Sequence, residues 1–220
     1  MHLLVTLLIF VAGCAATQSA SQHTGETPIL LVANRSSHEV TFVDISRGAV
    51  VDRIATGEGP HLLSNVSGGL VLATGYGEFP QPHEMPVSRR PPFVSQPNSR
   101  ATLIDVAERT VVRDMHLEDC ARPHASWIVQ KKAYVTCETE KHLLVFDLEN
   151  GSVAGYLDTQ QQGSHVLAFD GETSKVVVSN TESGSVTLID IENGGTEIIA
   201  LADGSEGLLA NSGQVWVSNA

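Results

Sequence analysis

Three histidines occupy the same point of a segment that recurs along this chain, directly after a Gly-Pro, Arg-Pro or Gly-Ser dipeptide: His61, His124 and His165. A fourth copy of the segment has Glu206 at that point. Imidazole and carboxylate groups are protein ligands of zinc, copper and iron. If the copies are arranged around an axis, these four side chains form a ring. The pattern therefore predicts a transition-metal cofactor (zinc, copper or iron) bound by His61, His124, His165 and Glu206.

The same histidines also have a purely structural interpretation. An imidazole at the start of a strand can tie neighbouring repeats together through hydrogen bonds with the backbone. A ring of repeats is also wide, so side chains on successive repeats need not converge on one ion. No metal-ligand spacing within the sequence decides between the two interpretations, and both stay open at this point.

The elements that position these residues repeat with a period of about 40 residues, and each copy contains several short alternating strands. One strand of each copy closes on a residue that can be aligned between copies: Asn34, Gly75, Cys137, Asn180 and Asn219. This period with four strands per copy is typical of a β-propeller blade. The sequence therefore predicts an all-β fold, a β-propeller of four-stranded antiparallel blades, with about four blades present and the start of another. The histidines fall where the outer strand of one blade leads to the inner strand of the next.

An aspartate ends the third strand of each blade, at Asp44, Asp105, Asp147 and Asp190. Each aspartate precedes a polar turn such as Glu-Asn-Gly, and in such turns the carboxylate accepts hydrogen bonds from the turn's own amides. We expect these four residues to stabilise the fold and to take no part in chemistry.

The segments Val-Ala-Asn, Tyr-Val-Thr-Cys and Val-Ser-Asn, each followed by a strand ending in Ile-Asp or Phe-Asp, resemble the YVTN-type β-propeller repeat. The resemblance covers residues 28–220. The resemblance is unspecific for function, because such propellers serve in surface layers, as binding scaffolds and as parts of redox enzymes, some of which bind metal with inner-strand histidines. The predicted strands number seventeen and run one strand past a four-bladed closure, so we expect the chain to be part of a larger, seven-bladed ring. A four-bladed closure on residues 208–211 is the alternative.

Residues 76–99 form an insertion with six prolines, in a connection predicted to share a face with the histidines. Proline-rich segments of this length are usually functional or disordered. The insertion contains Arg89 and Arg90, two adjacent cations in an acidic chain, together with His83. We expect these three residues to bind an anionic or peptide ligand. A loop that binds nothing and a lid over the channel are the alternatives.

Residues 1–13 have the short apolar run of a signal peptide, and the small residues before Cys14 resemble the bacterial lipoprotein box. The resemblance implies lipid on Cys14, a flexible tether over residues 14–27, and an exported, membrane-anchored protein of the cell envelope. That location is periplasmic or cell-surface, at the outer membrane if the cell is Gram-negative, because no Asp follows Cys14. An ordinary signal peptide is the alternative.

An exported protein can form a disulfide between the two remaining cysteines, Cys120 and Cys137, although two free thiols are equally compatible with the sequence. The net charge of −12 and the lack of a basic stripe argue against nucleic acid as a partner. No nucleophile stands beside a base in any known motif, so no catalytic residue is predicted. The first functional hypothesis is an envelope binding module for a protein or small molecule. The alternatives are a metal-dependent redox or lyase-type enzyme, an electron-transfer protein, and a structural or adhesion protein.

Overall fold

The structure is a computed structural model that describes residues 28–77 and 99–219. These residues form seventeen strands and one 3-10 helix, Arg35–Ser37, between the first two strands. The strands are β1 (Ile29–Asn34), β2 (Glu39–Asp44), β3 (Ala49–Ala55), β4 (Pro60–Val66), β5 (Leu70–Gly75), β6 (Arg100–Asp105), β7 (Thr110–His116), β8 (Pro123–Val129), β9 (Lys132–Cys137), β10 (His142–Asp147), β11 (Ser152–Asp158), β12 (Ser164–Asp170), β13 (Lys175–Asn180), β14 (Ser185–Asp190), β15 (Thr196–Ala200), β16 (Ser205–Asn211) and β17 (Gln214–Asn219). No helix within the described residues is long and apolar enough to cross a membrane.

The strands form successive antiparallel sheets in which every strand pairs with its neighbours in sequence. Three sheets have four strands each (β4 to β7, β8 to β11 and β12 to β15), preceded by the three-stranded sheet β1 to β3 and followed by the pair β16 and β17. The inner strands β4, β8, β12 and β16 pack side by side. This arrangement confirms the predicted all-β propeller, including the strand order within each blade. Because β16 pairs with β17 and does not belong to the sheet of β1, the four-bladed closure on residues 208–211 is wrong for this structure.

The hydrophobic core lies between the blades. The second and third strands of each blade are rich in Val, Leu and Ile because both of their faces are covered by neighbouring blades. One cluster joins Leu72 and Leu103 of one blade to Val135 and Phe146 of the next. A second cluster joins the blade of β8 to β11 with the blade of β12 to β15. Each fully buried Leu or Phe stabilises the fold by about 1.5–3 kcal/mol, so neighbouring blades hold each other in place.

Each inner strand contains a β-bulge at the position of the predicted metal ligands. In β4, Pro60 pairs with Gly75 and Leu63 with Ala73, so two residues, His61 and Leu62, oppose the single residue Thr74. The same shift occurs in β8, β12 and β16. A bulge redirects the side chain of its extra residue and bends the strand. The histidines therefore lie inside the inner strands, within the bulges. The sequence places them at the entry of these strands, with His61 as a first strand residue and with His124 and His165 just before the strand.

The four recurring aspartates hold turns, as predicted. Asp147 accepts hydrogen bonds on Oδ1 from the backbone N–H groups of Glu149 (2.8 Å) and Asn150 (3.2 Å). The equivalent carboxylates accept turn amides in the other blades: Asp44, Asp105 and Asp190. These carboxylates therefore stabilise their own turns through hydrogen bonds with the backbone.

Candidate functional site: a histidine cluster in the inner-strand bulges

Hydroxyl side chains position the histidines. Thr136, opposite the bulge of its own blade, accepts a hydrogen bond from the backbone N–H of Ala125 at 2.9 Å. Its Oγ1 also donates to the carbonyl oxygen of His165 on the following blade at 2.8 Å. Thr74 donates in the same way to the carbonyl of His124 at 2.6 Å. One hydroxyl therefore completes the hydrogen bonding of its own bulge and fixes the backbone of the next histidine position.

The same link recurs between the next two blades, where the Ser179 hydroxyl donates to the carbonyl of Glu206 at 2.7 Å. The sequence suggests that imidazoles tie the blades together through the backbone. In the structure the Thr and Ser hydroxyls form these backbone ties, which leaves the imidazoles available to contact one another.

The three imidazoles form a continuous row, here called the histidine cluster (His61, His124 and His165). Nε2 of His61 lies 2.9 Å from Nε2 of His124, a hydrogen-bond distance that requires a proton on one of the two nitrogens. The rings of His124 and His165 lie 3.8 Å apart between centroids and are inclined by 37°. The imidazoles of three successive blades are thus in direct contact, although the width of a propeller ring suggests that they would lie further apart.

Tyr76 and Arg35 extend the cluster on the side of His61. The Tyr76 ring lies 5.2 Å from that of His61 and 5.3 Å from that of His124, between centroids. Arg35, in the 3-10 helix after β1, places its guanidinium 4.4 Å from the Tyr76 ring centroid. Arg35 also donates from Nε and Nη2 to the carbonyl oxygen of Gly77, at 3.1 and 3.0 Å. Arg35 therefore reaches from one blade to the next and covers the aromatic side of the cluster.

Glu138 and Arg122 complete the cluster on the side of His165. Glu138 Oε1 lies 3.6 Å from Nδ1 of His165, and its Oε2 lies 3.6 Å from Nη1 of Arg122. Glu206, the predicted fourth ligand, contacts the other ring nitrogen of His165, with Oε1 3.6 Å from Nε2. The connections between second and third strands and those between outer and inner strands thus meet on one face, as predicted.

Burial sets the protonation of the cluster. His124 is almost fully buried, and burial together with the neighbouring imidazoles lowers its pKa from 6.5 to about 3. Burial and the charge of Arg35 also lower the pKa of His61. Both imidazoles are therefore neutral near pH 7. Burial raises the pKa of Tyr76, as does its hydrogen bond with Glu138, so the phenol keeps its proton.

Glu138 is ionised despite its burial. Burial by itself raises the pKa of this carboxyl group, but hydrogen bonding with His165 and Tyr76 outweighs that effect, so the pKa is lowered overall. The cluster thus combines neutral imidazoles, a phenol, a carboxylate and two guanidinium groups in one half-buried location.

Among the described residues, Nδ1 of His124 is buried without a hydrogen-bond partner. Two more buried atoms, Nδ1 of His165 and Oε2 of Glu138, have only the long contacts of 3.6 Å with Glu138 and Arg122. Such atoms are rare in folded proteins and each costs about 1–3 kcal/mol. The cluster therefore has donor and acceptor capacity that the described residues do not use.

A groove of about 510 Å³ runs along the inner strands. Its lining is mainly apolar and comes from all four inner strands, including Leu62, Trp127, Leu167 and Leu208. The Trp127 side chain is exposed to the groove side of the sheet. Three of the groove's lining residues, Leu62, Ala125 and Val166, directly follow the cluster histidines in their strands, while the histidines themselves do not line the groove.

The metal prediction meets a geometric difficulty. No group of three or more His, Cys, Asp or Glu side chains in residues 28–77 and 99–219 is placed to hold one ion. Two nitrogens bound tetrahedrally to zinc at about 2.1 Å stand about 3.4 Å apart. The 2.9 Å between the Nε2 atoms of His61 and His124 is shorter, and Glu206 contacts only the last imidazole of the row. As placed, the four residues do not fit a tetrahedral zinc site.

The remaining predicted site residues have different outcomes. Cys120 and Cys137 form a disulfide that joins the loop before β8 to the end of β9, beside Arg122 and Glu138. The ligand-binding candidates His83, Arg89 and Arg90 and the lipidation candidate Cys14 lie outside the described residues. Three other cluster members share one repeat position, directly after the aligned residues Asn34, Gly75 and Cys137, but differ in residue type: Arg35, Tyr76 and Glu138. The fourth, Arg122, stands two residues before a bulge histidine.

Comparison with known proteins supports the fold and no more. No protein family matches the sequence, and no curated protein is similar to it at a significant level. The structure of Kuenenia stuttgartiensis hydrazine synthase is similar over 82% of this chain and 47% of the other, with a TM-score of 0.62 and 20% identity. The WD40 repeats of RRP9 are similar over 78% of this chain and 47% of theirs, with a TM-score of 0.60 and 9% identity.

A third similar structure is the dihydro-heme d1 dehydrogenase NirN in complex with DHE. It is similar over 80% of this chain and 36% of its own, with a TM-score of 0.58 and 12% identity. The chain thus spans less than half the length of these solved structures. Enzymes and a WD40 repeat protein are both among these neighbours, which are β-propellers, so the fold is shared between different functions.

Proposed function

We propose that this chain is a ligand-binding propeller module whose ligand is held by the histidine cluster together with Tyr76, Arg122 and Glu138. The observation that supports the proposal is the set of buried polar atoms in one place, on two imidazoles and a carboxylate, that have no hydrogen-bond partner or only a long contact. Nδ1 of His124, which has no such contact, costs the fold about 1–3 kcal/mol if nothing binds it. A polar ligand that supplies the missing hydrogen bonds removes this cost.

The geometry favours a small polar ligand over a large protein surface. The cluster is half-buried and combines groups of both charges, so a ligand with both donors and acceptors fits its chemistry. The adjoining apolar groove accommodates a hydrocarbon or aromatic part of the same molecule. The proposed ligand class is therefore a small amphipathic molecule with a polar head.

Thermal unfolding tests this proposal with defined probes. The probes are benzoate, 4-hydroxybenzoate, benzamidine and indole-3-acetate, each added to the purified protein, to a Glu138→Gln variant and to a Glu149→Gln variant. Glu149 is an exposed carboxylate paired with Lys131 and is the matched control. We expect at least one probe to raise the Tm of the wild type and of Glu149→Gln, with a smaller shift for Glu138→Gln. Equal shifts in all three proteins contradict the proposal.

We further propose that the module belongs to the YVTN-type propellers and is exported and lipid-anchored at the cell envelope. The support is the blade sequence itself and the leader with its lipoprotein-like cysteine, Cys14. Labelled fatty acid is expected to be incorporated into the wild type but not into a Cys14→Ser variant. Fractionation of the two is expected to place only the wild type with membranes.

The inserted loop is proposed to contribute His83, Arg89 and Arg90 to ligand binding. The support is its point of departure, because Gly77, the last described residue before it, is held by Arg35 next to Tyr76. An Arg89→Ala, Arg90→Ala double variant is expected to weaken binding of the anionic probes while leaving Tm without ligand unchanged. An unchanged affinity contradicts this part of the proposal.

Metal binding is the second candidate function, and the contact between three imidazoles of successive blades favours it. His61 and His124 have to move apart before they can bind one zinc ion tetrahedrally. Metal analysis of the purified protein and of a His61→Ala, His124→Ala double variant tests this candidate. Stoichiometric zinc, copper or iron in the wild type, lost in the variant, supports metal binding; an equal trace content in both contradicts it.

A further inference from the structure

Arg122 occupies a backbone position that glycine occupies in the other blades. The residue two positions before the bulge ligand is Gly59, Gly163 or Gly204 elsewhere, with φ of 62°, 70° and 81°. Arg122 has φ of 54° at the equivalent point. A non-glycine residue in this left-handed region costs about 1–2 kcal/mol.

The glycines of the neighbouring blades stand where no side chain fits. A Cβ on Gly59 would lie 2.4 Å from the carbonyl oxygen of Gly77, and a Cβ on Gly163 would lie 2.7 Å from the amide nitrogen of Glu182. In the blade of β8 to β11, the loop before β8 accommodates the large side chain of Arg122 at this position. Strained residues of this kind persist only where the surrounding structure fixes them, and they concentrate at functional sites.

The disulfide lies within two residues of this strained position. Cys120 and Cys137 are fully buried and bonded to each other, with 4.9 Å between their Cα atoms. The loop of residues 119–122 has three further hydrogen bonds to the segment from Glu138 to His142, one of which runs from the N–H of Glu138 to the carbonyl of Arg122 at 3.4 Å. The N–H of Ala121 donates to Glu140 Oε2 at 3.0 Å, and Nε2 of His142 lies 2.9 Å from the carbonyl oxygen of Asp119.

Each cysteine of the disulfide is followed closely in the chain by a charged residue of the site. Arg122 follows Cys120 by two residues, and Glu138 follows Cys137 directly. Their charged groups lie 3.6 Å apart, with only 13% and 12% of the side chains exposed. The Arg122 guanidinium also lies 5.5 Å from the Tyr76 ring centroid. The disulfide thus joins the backbone segments from which both charges enter the cluster.

We propose that the Cys120–Cys137 disulfide positions Arg122 and Glu138 in the ligand site by holding Arg122 in its left-handed conformation. Arg122 and Glu138 are positioned residues of the proposed binding site, and the disulfide acts through them. Without the disulfide the loop relaxes, the guanidinium leaves Glu138, and the environment of His165 and His124 changes. The effect of the disulfide on ligand binding rests on the proposed function. Its effect on the positions of Arg122 and Glu138 can be measured without a ligand.

The test compares Cys120→Ala/Cys137→Ala, Arg122→Gly, the triple variant and the wild type. The first measurement is the imidazole chemical shifts of His124 and His165 at one fixed alkaline pH. We expect both shifts to change in the cysteine variant and in Arg122→Gly, with no further change in the triple variant. The second measurement is the change in Tm caused by Arg122→Gly. Because the loop relaxes once the disulfide is removed, we expect the stabilisation from the loss of strain in the disulfide-bonded protein and not in the disulfide-free background.

Gln130→Gly is the matched control, because Gln130 also has a positive φ, of 48°, in the turn between β8 and β9. It relieves strain of the same kind and is expected to leave the imidazole shifts unchanged. Wild-type shifts in the folded cysteine variant overturn the inference, because the disulfide then acts on stability alone.

If the cysteine variant does not fold, the triple variant is compared with Arg122→Gly, and a difference between their imidazole shifts overturns the inference. Probe binding separates this inference from the proposed function. If changed imidazole shifts are found and no probe binds any protein, the positioning by the disulfide stands and the binding proposal fails. If probes bind the wild type and the cysteine variant alike, the binding proposal stands and the positioning by the disulfide fails.

Discussion

Thr136 donates a hydrogen bond from Oγ1 to the carbonyl oxygen of His165, across the boundary between two blades, at 2.8 Å. The same hydroxyl accepts the N–H of Ala125, which the bulge of its own blade leaves without a ladder partner. One small side chain thus links the closure of one blade to the placement of a histidine on the next. The geometry of the histidine cluster depends on these hydroxyls as much as on the imidazoles.

Replacing Thr136 by valine, which keeps the shape of the side chain, is expected to lower the free energy of unfolding by about 1–3 kcal/mol. The reason is that the N–H of Ala125 and the carbonyl of His165 lose a buried partner. Urea denaturation measures the change. The control is Thr110→Val on the exposed outer strand β7, for which a much smaller change is expected. An equal loss in both variants contradicts the role of the bridging hydroxyl.

Stability is expected to fall as the pH is lowered from about 6.5 to about 3. In this range the unfolded chain binds a proton at His124, whose ordinary pKa is 6.5, whereas the folded protein, with a pKa of about 3, does not. The free energy of unfolding therefore decreases by up to about 1.4 kcal/mol per pH unit, and the contribution is fully present above pH 6.5. His61 contributes in the same direction, because its pKa is also lowered.

Chemical denaturation at several pH values measures this slope. A His124→Gln variant is expected to show a flatter dependence on pH, and His116→Gln, on the exposed outer strand β7, is expected to keep the wild-type slope. If His124→Gln and the wild type have the same slope, His124 is not buried as a neutral imidazole.

Tyr76→Phe is expected to raise the pKa of Glu138. Burial raises this pKa, and the hydrogen bonds from His165 and Tyr76 lower it, so the loss of the phenol hydroxyl removes one of the lowering effects. We also expect a loss of about 1 kcal/mol in the free energy of unfolding. Carboxyl carbon NMR follows the titration of Glu138. Tyr156→Phe on strand β11, with its exposed side chain, is the control and should leave that titration unchanged.

Arg35→Ala is expected to destabilise the protein by about 2 kcal/mol, because the guanidinium both bonds the carbonyl of Gly77 and covers the Tyr76 ring. Thermal unfolding measures this loss, and probe affinity is expected to fall with it. Arg47→Ala removes a guanidinium whose side chain is 78% exposed and should have little effect on either quantity. Comparable losses in the two variants are incompatible with a bridging role for Arg35.

The blades were predictable because their signals are periodic: alternating apolar residues define the strands, and the recurring aspartates define the turns. The bulges were not, because the alternation of a single strand does not show that two residues oppose one. The His positions could be identified from their common place in the repeat. Tyr76 and Glu138 were missed because they share one repeat position but differ in residue type, so the repeat shows no common chemistry there. Arg122 was missed because the other blades have glycine at its position, and only the folded backbone brings it to Glu138.

The bulge of each inner strand has a consequence for how this protein can diversify. The first bulge residue points a side chain into the site, while its neighbour's N–H is bonded by a hydroxyl of the adjacent strand, as at Ala125 and Thr136. The identity of the first residue is therefore not required by the hydrogen bonding of the sheet. His61, His124, His165 and Glu206 illustrate this freedom, since a carboxylate stands in place of an imidazole in an unchanged backbone. Selection or engineering can exchange these four residues separately, and the propeller can acquire a new ligand specificity while its blades are inherited intact.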